Sequence, residues 1–481
     1  MLLWKTEAAN KKHFKNSCMK KNTIGRRKFL TDSAKAAIGT GIAFSFPSIV
    51  PASVFGRNAP SNRINVAAIG AGRISRGHDM PGVWQHSYAQ IMAVCDLDLH
   101  RAEEGKQLIT EFYSKRDGKP FDGVKLYTDY REVLLNKDID AVIISTPDHS
   151  HAMIGVAAAE AKKHIYMQKP ASLTIAEGRV ISDVVNNSGV KFQIGSQQRS
   201  TEQFRYAAEL VRNGRIGELK KVYVGLPGDP PGGNKTEMPL PANFNYDMWL
   251  ASTPDVYYTE ERVHPQKGYG RPGWLRCEQF GAGMITGWGS HHIDSAHWGM
   301  GMERSGPVEV WCEKVEFANN GLWDVHGIFK THANYANGVH MIVSNEFDNG
   351  IKFEGTEGWI FVSRGDYQAT SSDPAKPGPQ AKKIDASNPA MLTSEIGEKE
   401  FHFTVSNNHH GNWLEAIRDN KATIAPVEEA HRSCTTCLLH HISMKLKRKL
   451  QWNPKKEQFK NDDEANKMLS RAQRKGYEMK S

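Results

Sequence analysis

The chain has 481 residues, which is too long for one ordinary domain and predicts about two or three. Its 24% charged and 39% hydrophobic residues are typical of a globular protein. The sequence contains no stretch of about 20 apolar residues, so we expect no ordinary membrane span. Residues 1–58 hold 11 of the 62 Lys and Arg residues but only two of the 53 Asp and Glu residues, so they account for the whole net charge of +9. The rest of the chain is neutral, which argues against a nucleic-acid partner.

The first part of the chain has the pattern of an export signal. Gly25-Arg26-Arg27-Lys28-Phe29-Leu30 is a twin-arginine motif, and a run of small and moderately apolar residues follows over 36–50. The alternative, a basic amphipathic helix, is disfavoured by four helix-breaking residues, Gly39, Gly41, Pro47 and Pro51. We therefore expect a cleaved twin-arginine signal and a periplasmic protein, with Met19 as an alternative start to Met1.

After a linker over 54–62, strand and helix patterns alternate. Short apolar runs predict strands at 64–69, 89–94, 141–145, 164–167 and 191–194. Helical patterns lie between them, from about residue 74 and at 99–113, 150–161 and 175–188, and Asp129 is the predicted N-cap of one more helix. The repeated strand-helix units predict a parallel doubly wound sheet, which is a Rossmann domain of the α/β class.

Beyond about residue 200 the pattern changes to longer loops rich in Pro and Gly, at 226–245, 253–273 and 364–391. Strand-like stretches occur at 219–225, 308–317, 326–335, 338–345 and 351–356, and helical patterns return at 412–419 and 427–447. These features predict an α+β domain with an open, mainly antiparallel sheet. We expect four segments: 1–58 for signal and linker, 59–198 for the Rossmann domain, 199–451 for the substrate-binding and oligomerisation domain, and 452–481 for a polar C-terminal arm.

The turn after the first predicted strand has a nucleotide-binding pattern. Gly70-Ala71-Gly72-Arg73-Ile74-Ser75 follows a strand and opens a helix, and in that context glycines let a pyrophosphate approach the backbone, although Ser75 replaces the third glycine. Asp96, at the end of the second strand, is placed to bind ribose hydroxyls and would repel a 2′-phosphate. We therefore predict NAD bound by Gly70, Gly72, Arg73, Ile74 and Asp96, with NADP as the alternative because Arg73 can pair with a phosphate.

A second candidate turn follows the strand predicted at 141–145. Thr146-Pro147-Asp148-His149-Ser150-His151 lies at the carboxyl end of that strand, where doubly wound sheets form their ligand crevice. We predict that the cofactor site is lined here by Thr146, Pro147, His149 and His151. The alternative for the two histidines is a solvated helix start.

Together with these two turns, Tyr166-Met167-Gln168-Lys169-Pro170 resembles the Gfo/Idh/MocA family of NAD(P)-dependent sugar and polyol oxidoreductases. The resemblance covers about 63–475, and Trp288-Gly289-Ser290-His291-His292 behind a twin-arginine leader is typical of the exported subgroup. It implies that Lys169 lies at the nicotinamide and the substrate hydroxyl, that Gln168 and Gln197 line the cofactor, and that His291 is the catalytic acid and base. Histidine suits this role because its pKa lies near neutrality, and a lysine stabilises negative charge developing on the substrate oxygen.

The sequence departs from this family pattern at two positions. The family usually has Glu where Gln168 stands, and Asp where Gly287 stands, four residues before the histidine on the same helical face. That Asp would orient the imidazole of His291. Asp294, three residues after His291, is a candidate substitute.

The histidine-rich segment also permits a metal site. The candidate ligands are His291, His292, Asp294 and His297, and the pairs His291/Asp294 and Asp294/His297 have the spacing of one helical turn. No further ligand set is evident and the family chemistry needs no metal, so we expect no metal site.

Substrate contacts are expected from aromatic faces and guanidinium groups, which suit a polyhydroxylated ring. The candidates are Arg262, Trp274, Arg276 and His292.

The expected activity is NAD(P)-dependent hydride transfer between the nicotinamide and a secondary hydroxyl or ketone of a sugar, glycoside or sugar derivative. One alternative is an NAD-dependent glycosidase of the same superfamily, which oxidises its sugar only transiently. The other is a non-enzymatic sugar-binding descendant, which Gly287 and Gln168 favour. The resemblance also implies a homo-oligomer, a dimer or tetramer, formed through the antiparallel sheet.

Overall fold

The computed structural model describes residues 63–365 and 382–479. The predicted export signal and the linker at 54–62 lie outside the described residues, as does much of the loop predicted at 364–391. Within the described ranges the strands form two sheets, of six and nine strands.

The six-stranded sheet is entirely parallel, with the strand order β3-β2-β1-β4-β5-β6. Its strands are β1 (Ile64–Ile69), β2 (Ala89–Cys95), β3 (Lys125–Tyr127), β4 (Ala141–Ile144), β5 (His164–Met167) and β6 (Phe192–Ile194). The central strand β4 is buried at every position, as expected for a strand that is covered on both faces by helices. The predicted doubly wound Rossmann sheet is therefore confirmed.

Helices connect these strands: α1 (Met80–Trp84), α2 (Leu99–Asp117), α3 (Tyr130–Leu135), α4 (Asp148–Glu160) and α5 (Ile175–Ser188). The predicted cap of α3 is confirmed, because the Asp129 carboxylate accepts a hydrogen bond from the Arg131 N–H over 2.8 Å. The helix predicted from residue 74 differs, since it begins as a π-helical turn over Ser75–Asp79 before α1. Pro81 has no N–H to donate to the preceding turn, which interrupts the regular helical ladder there.

The nine-stranded sheet has the order β13-β12-β11-β7-β10-β9-β8-β14-β15. Its strands are β7 (Leu219–Gly225), β8 (Glu309–Phe317), β9 (His326–Asn334), β10 (His340–Ser344), β11 (Gly350–Gly355), β12 (Trp359–Val362), β13 (Ile384–Ala386), β14 (Leu450–Asn453) and β15 (Gln458–Phe459). Neighbours pair antiparallel except β7 with β10, which are parallel. The prediction of a mainly antiparallel sheet is confirmed.

The remaining helices pack between and around the sheets: α6 (Glu202–Arg212), α7 (Tyr246–Leu250), α8 (Met284–Gly287), α9 (Gly289–Met300), α10 (His409–Asp419), α11 (Val427–Leu446) and α12 (Asp463–Lys467). Every residue of α9 is buried, and α11 is buried over most of its length, so both are central rather than surface helices. One hydrophobic core runs continuously from one face of the parallel sheet through α11 to the nine-stranded sheet. This continuity fixes α9, which carries His291, against the Rossmann domain.

The segment after Trp452 packs on both parts of the molecule. Trp452 is buried in β14, which adds to the large sheet beside β8. The Leu469 carbonyl accepts from the Ala176 N–H over 2.9 Å, and Arg474 donates to the Asp247 carboxylate over 2.7 Å. The C-terminal residues thereby join α5 to the loops of the second domain.

Candidate active site

The glycine turn after β1 lies against the end of β4. Gly70 has φ +90°, and a Cβ at this position would lie 2.6 Å from the Ser145 carbonyl oxygen. Its N–H donates to the Cys95 carbonyl over 2.8 Å. Only glycine fits this conformation and this approach. A Cβ on Gly72 would meet only Arg101 Nη1, at 3.8 Å, so the outer side of the turn is open toward the cleft described below.

Asp96 stands one residue beyond β2, beside this turn. Its Oδ2 accepts from the Ala71 N–H over 2.8 Å and its Oδ1 accepts from the Asp98 N–H over 2.9 Å. The backbone therefore fixes the carboxylate next to the glycine turn. In a dinucleotide site, that is the place where ribose hydroxyls need an acceptor.

One cleft at the carboxyl ends of the parallel strands gathers most of the predicted site. The predicted residues that line it are Gly70, Gly72, Arg73, Ile74, Asp96, Thr146, Pro147, Gln168, Lys169, Trp274 and His291. Three distant segments of the chain, the glycine turn, the Lys-Pro turn and helix α9 with its preceding loops, thus meet in one place. The remaining six predicted residues are not among the residues that line the cleft.

The two histidines of the Thr146 turn are buried behind the cleft. His149 donates from Nε2 to the Trp249 carbonyl over 2.7 Å. His151 lies 2.7 Å from the Pro170 carbonyl and 2.8 Å from the Thr146 carbonyl. Burial lowers the pKa of each to about 4. Both side chains therefore join neighbouring loops behind the cleft.

Gln197 and His292 also make contacts behind the cleft. Gln197 donates from Nε2 to the Tyr166 hydroxyl over 3.4 Å. His292 has its Nε2 2.8 Å from Asn349 Oδ1, and burial, reinforced by the charge of Arg364, lowers its pKa to about 3. Neither side chain is among the residues that line the cleft.

The two predicted arginines brace the loops before α8. Arg262 donates to the Tyr257 carbonyl and is buried. Arg276 has its Nε 3.9 Å from Asp229 Oδ1, and its guanidinium lies 4.3 Å from the centre of the Trp323 ring. Trp274, in the same segment as Arg276, is the predicted substrate residue that lines the cleft.

His291 lies in the cleft as a neutral imidazole. It is buried, and burial, followed by the nearby charges of Arg364 and Lys169, lowers its pKa well below the ordinary value. Its Nδ1 has no hydrogen-bond partner among the described residues. A neutral buried imidazole beside a lysine can accept a proton from a substrate hydroxyl.

Asp294 does not orient His291, so the suggested substitution for the family Asp is wrong. Arg199 donates to both oxygens of Asp294, over 2.7 and 2.8 Å, and both side chains are almost completely buried. The buried guanidinium needs this carboxylate, which leaves none for the imidazole. Gly287 does line the cleft, and a Cβ there would have only Met284 Sδ within 4 Å, at 3.7 Å.

Several residues that line the cleft were not predicted from the sequence, and Asp148 and Arg364 are two of them. Asp148, the first residue of α4, is buried in the cleft, and burial raises its pKa to about 8 although the charge of Lys169 opposes this. Its position directly after Thr146-Pro147 is a usable signal in the sequence, although the pattern there also favours the histidines that follow. Arg364 lies beyond β12, with its guanidinium 4.8 Å from the centre of the Trp288 ring, and nothing local in the sequence indicates it.

Gln168 faces a carboxylate that explains why it is not Glu. Its Nε2 donates to Asp79, over 2.8 Å to Oδ1 and 3.1 Å to Oδ2. Asp79 is fully buried. A Glu at position 168 would put a second carboxylate against the first in a buried site, which is strongly unfavourable. The amide retains the hydrogen bond without the charge.

Among the described residues, one group of side chains has the spacing of metal ligands: His78, Asp79 and His410, with ligand atoms within 4.8 Å of one another. Both imidazoles already hydrogen-bond to the carboxylate, each over 3.1 Å. The helix residues considered as ligands from the sequence are separated by other partners: His292 by Asn349, Asp294 by Arg199 and His297 by Tyr335.

Comparison with protein families bears directly on this architecture. A family profile described as the C-terminal alpha/beta domain of an oxidoreductase family matches residues 231–479, more than half of the 481 residues. The chain belongs to the Gfo/Idh/MocA oxidoreductase family. A second profile of this family, described as an NAD-binding Rossmann fold, matches residues 64–196. The cofactor assigned to the Rossmann domain is therefore NAD.

Curated proteins are similar to part of the chain. Levoglucosan dehydrogenase of Pseudarthrobacter phenanthrenivorans is 28% identical over 156 residues, 32% of this chain and 39% of that protein. The scyllo-inositol 2-dehydrogenase (NAD(+)) of Bacillus subtilis is 30% identical over 173 residues, 35% of this chain and 47% of that protein. The chain spans about half or less of the length of the curated relatives it matches.

Solved Gfo/Idh/MocA structures share the fold over a longer range. A levoglucosan dehydrogenase in complex with NADH and levoglucosan has a TM-score of 0.56 at 18% identity, covering 81% of this chain and 99% of that one. The WlbA dehydrogenase from Bordetella pertussis in complex with NADH and UDP-GlcNAcA has a TM-score of 0.56 at 14% identity, with the same coverages. At these identities the likeness shows the fold.

The residues of the cleft fit a dinucleotide. Gly70 and Gly72 form a cradle that a side chain would fill, and Asp96 is held beside it by the backbone. Lys169 and His291 lie in the same cleft. None of the helices in residues 63–365 and 382–479 combines the length and apolarity that crossing a bilayer demands.

Proposed function

We propose that this protein is an NAD-dependent dehydrogenase acting on a secondary hydroxyl of a sugar, glycoside or sugar derivative. The observation that carries the proposal is the meeting of Lys169 and the neutral His291 in the cleft that begins at Gly70 and Asp96. A hydride acceptor, a proton acceptor and a cation for the substrate oxygen are then all within one cavity. The dehydrogenases named among the relatives act on cyclic polyols and sugars, which supports the substrate class.

The side chains divide the chemistry as follows. The nicotinamide, when bound, accepts the hydride from the carbinol carbon. The imidazole of His291 accepts the hydroxyl proton, which it can do because its low pKa keeps it unprotonated at neutral pH. The Lys169 ammonium stabilises the negative charge that develops on the same oxygen. Each group has a single role, and neither requires a metal ion.

The substrate end of the cleft has the side chains that a pyranose ring prefers. Trp249, Trp274 and Trp288 line the cleft, and aromatic side chains suit the CH groups of a sugar. Arg271 and Arg364 line the same cleft, and guanidinium groups suit hydroxyl or acidic substituents. This combination of side chains favours a ring substrate over a small linear alcohol.

Export and assembly belong to the same proposal. The twin-arginine motif at 25–30 supports export of a folded protein, which leaves the cytoplasm with NAD already bound and recycles it in place. Replacing Arg26 and Arg27 with lysines should retain the protein in the cytoplasm.

We also propose a homo-oligomer through the nine-stranded sheet. Light scattering coupled to size-exclusion chromatography would test this proposal by measuring the mass of the assembly.

Native mass spectrometry of the purified protein, followed by a panel of sugars and glycosides, tests the function. We expect retained NAD(H) and reduction of bound NAD by at least one sugar in the panel. Release of an aglycone without net NADH would instead identify an NAD-dependent glycosidase. Binding of sugar without any redox change would identify a non-enzymatic descendant, and a protein that binds no NAD would overturn the proposal altogether.

A further inference from the structure

A buried carboxylate lies one hydrogen bond behind the cleft. Asp79, in the π-helical turn after the glycine motif, is 0% exposed. It accepts from the Ser145 hydroxyl over 2.7 Å and from the Gln168 amide over 2.8 Å. Ser145 and Gln168 both line the cleft, and Gln168 immediately precedes Lys169. Asp79 is thus separated from the cofactor space by the thickness of one side chain.

The opposite side of Asp79 is closed by two histidines. His410 donates from Nε2 to Asp79 Oδ1 over 3.1 Å, and His78 lies at the same distance through Nδ1. His410 is fixed in place because its ring stacks on Tyr166 at 4.2 Å and because a Cβ on Gly82 would come within 2.3 Å of the ring. Three segments distant from Asp79 in the chain, at Ser145, Gln168 and His410, therefore converge on its carboxylate.

The network holds one net negative charge when both histidines are neutral. Burial opposes ionisation of Asp79, but the hydrogen bonds from His410 and His78, followed by the charge that each imidazole carries when it is protonated, hold the pKa of Asp79 well below the ordinary range. Burial lowers the pKa of His410, which therefore donates as a neutral imidazole. His78 is exposed, and Asp79 raises its pKa against the effect of burial, so it is the histidine that can neutralise the charge at lower pH.

We propose that Asp79 is a positioning residue that places a fixed negative charge behind the nicotinamide end of the cleft and thereby favours bound NAD⁺ over bound NADH. The proposal rests on the proposed function, because it takes the nicotinamide to lie over Ser145 and Gln168 beside Lys169. Reduction removes the positive charge of the nicotinamide ring, so a nearby anion stabilises the oxidised form selectively. Bound NADH is then a stronger hydride donor than free NADH.

Three variants separate the charge from the hydrogen bonds. Asp79→Asn removes the charge, and Asp79→Asn with Gln168→Glu returns one carboxylate to the same place, with the amide and carboxylate exchanged. Ser145→Ala removes one hydrogen bond to Asp79 and leaves the charge. The readout is the ratio of the dissociation constants for NAD⁺ and NADH at about pH 8.5, above the ordinary pKa of histidine.

We expect Asp79→Asn to raise the ratio of the NAD⁺ dissociation constant to the NADH dissociation constant by about tenfold. One buried charge that is separated from the nicotinamide by a single side chain has an effect of about this size. The double variant should return toward the wild-type ratio, and Ser145→Ala should change it by less than about twofold because it affects both forms alike. An unchanged ratio in Asp79→Asn, or a double variant no closer to wild type than the single one, would overturn the proposal. Failure of the wild type to bind either nucleotide would instead refute the proposed function.

Discussion

Asp294 is bound to Arg199 by two hydrogen bonds, of 2.7 and 2.8 Å, and so is not available to His291 one turn earlier on α9. His291 consequently has a buried Nδ1 with no acceptor among the described residues. Burial, followed by the cations of Arg364 and Lys169, lowers its pKa. The low pKa of the proposed catalytic base is thus a property of this particular arrangement.

Gly287→Asp should raise the pKa of His291. The position lines the cleft and has room for a side chain, since only Met284 Sδ lies within 4 Å of its Cβ direction. A carboxylate one turn before the imidazole favours the protonated form, so the acidic limb of the kcat/KM profile should move up by about one pH unit. Gly287→Asn is the matched control, with the same shape and no charge. An identical acidic limb in both variants would show that His291 is not the titrating base.

Asp148→Asn should become more stable than the wild type as the pH rises. The folded protein keeps Asp148 protonated up to a pKa of about 8, whereas the unfolded chain ionises it near its ordinary value. Between those values the folded state binds the extra proton, so the wild-type free energy of unfolding falls with pH, by at most about 1.4 kcal/mol per unit. Urea unfolding at about pH 5 and about pH 7.5 measures the difference. A variant that is destabilised equally at both pH values would reveal an ionised pair of Asp148 with Lys169 instead.

Lys169→Ala should abolish most of the activity while leaving NAD bound. Loss of the cation at the substrate oxygen should lower kcat/KM by about 10² to 10⁴, the range for groups that stabilise a developing charge or transfer a proton. The glycine turn and Asp96 are untouched, so the NAD dissociation constant should change only a few-fold. Lys137→Ala, on the exposed surface, is the control. Equal activity in the two variants would remove Lys169 from the mechanism.

Gly70→Ala should destabilise the fold and weaken NAD binding together. The residue has φ +90°, and the new Cβ would collide with the Ser145 carbonyl at 2.6 Å. Strain of this kind costs about 1 to 3 kcal/mol and displaces the turn toward the cofactor space. Gly77→Ala, where a Cβ would meet nothing within 4 Å, should cost far less. Thermal melting with and without NAD checks both effects, and equal losses in the two variants would contradict the expectation.

Local patterns were enough to predict the fold. The strand at Ile64–Ile69, the glycine turn and the Asp129 cap all depend on residues close in sequence, and the structure confirms each. The alternation of strands and helices likewise specified the parallel sheet, because a buried parallel strand has a continuous apolar run. The π-helical start after the glycine turn was missed, since it depends on how Pro81 interrupts the ladder.

Contacts between distant segments could not be predicted in the same way. Gln168 and Asp79 are 89 residues apart, and His410 and Asp79 are 331 apart, so no local spacing indicates that they meet. The same holds for the pairing of Asp294 with Arg199, 95 residues away, which overturned the role suggested for Asp294. The chemistry of the cleft is therefore decided by packing rather than by any single motif.

Transfer of deuterium from a sugar to the cofactor tests hydride transfer in this cleft most directly. A substrate from the panel, deuterated at its secondary carbinol carbon, is incubated with the protein and its bound NAD, and the cofactor is analysed by mass spectrometry. We expect deuterium on the nicotinamide ring in the wild type and almost none in Lys169→Ala. Formation of the product with an unlabelled nicotinamide would contradict hydride transfer in this cleft.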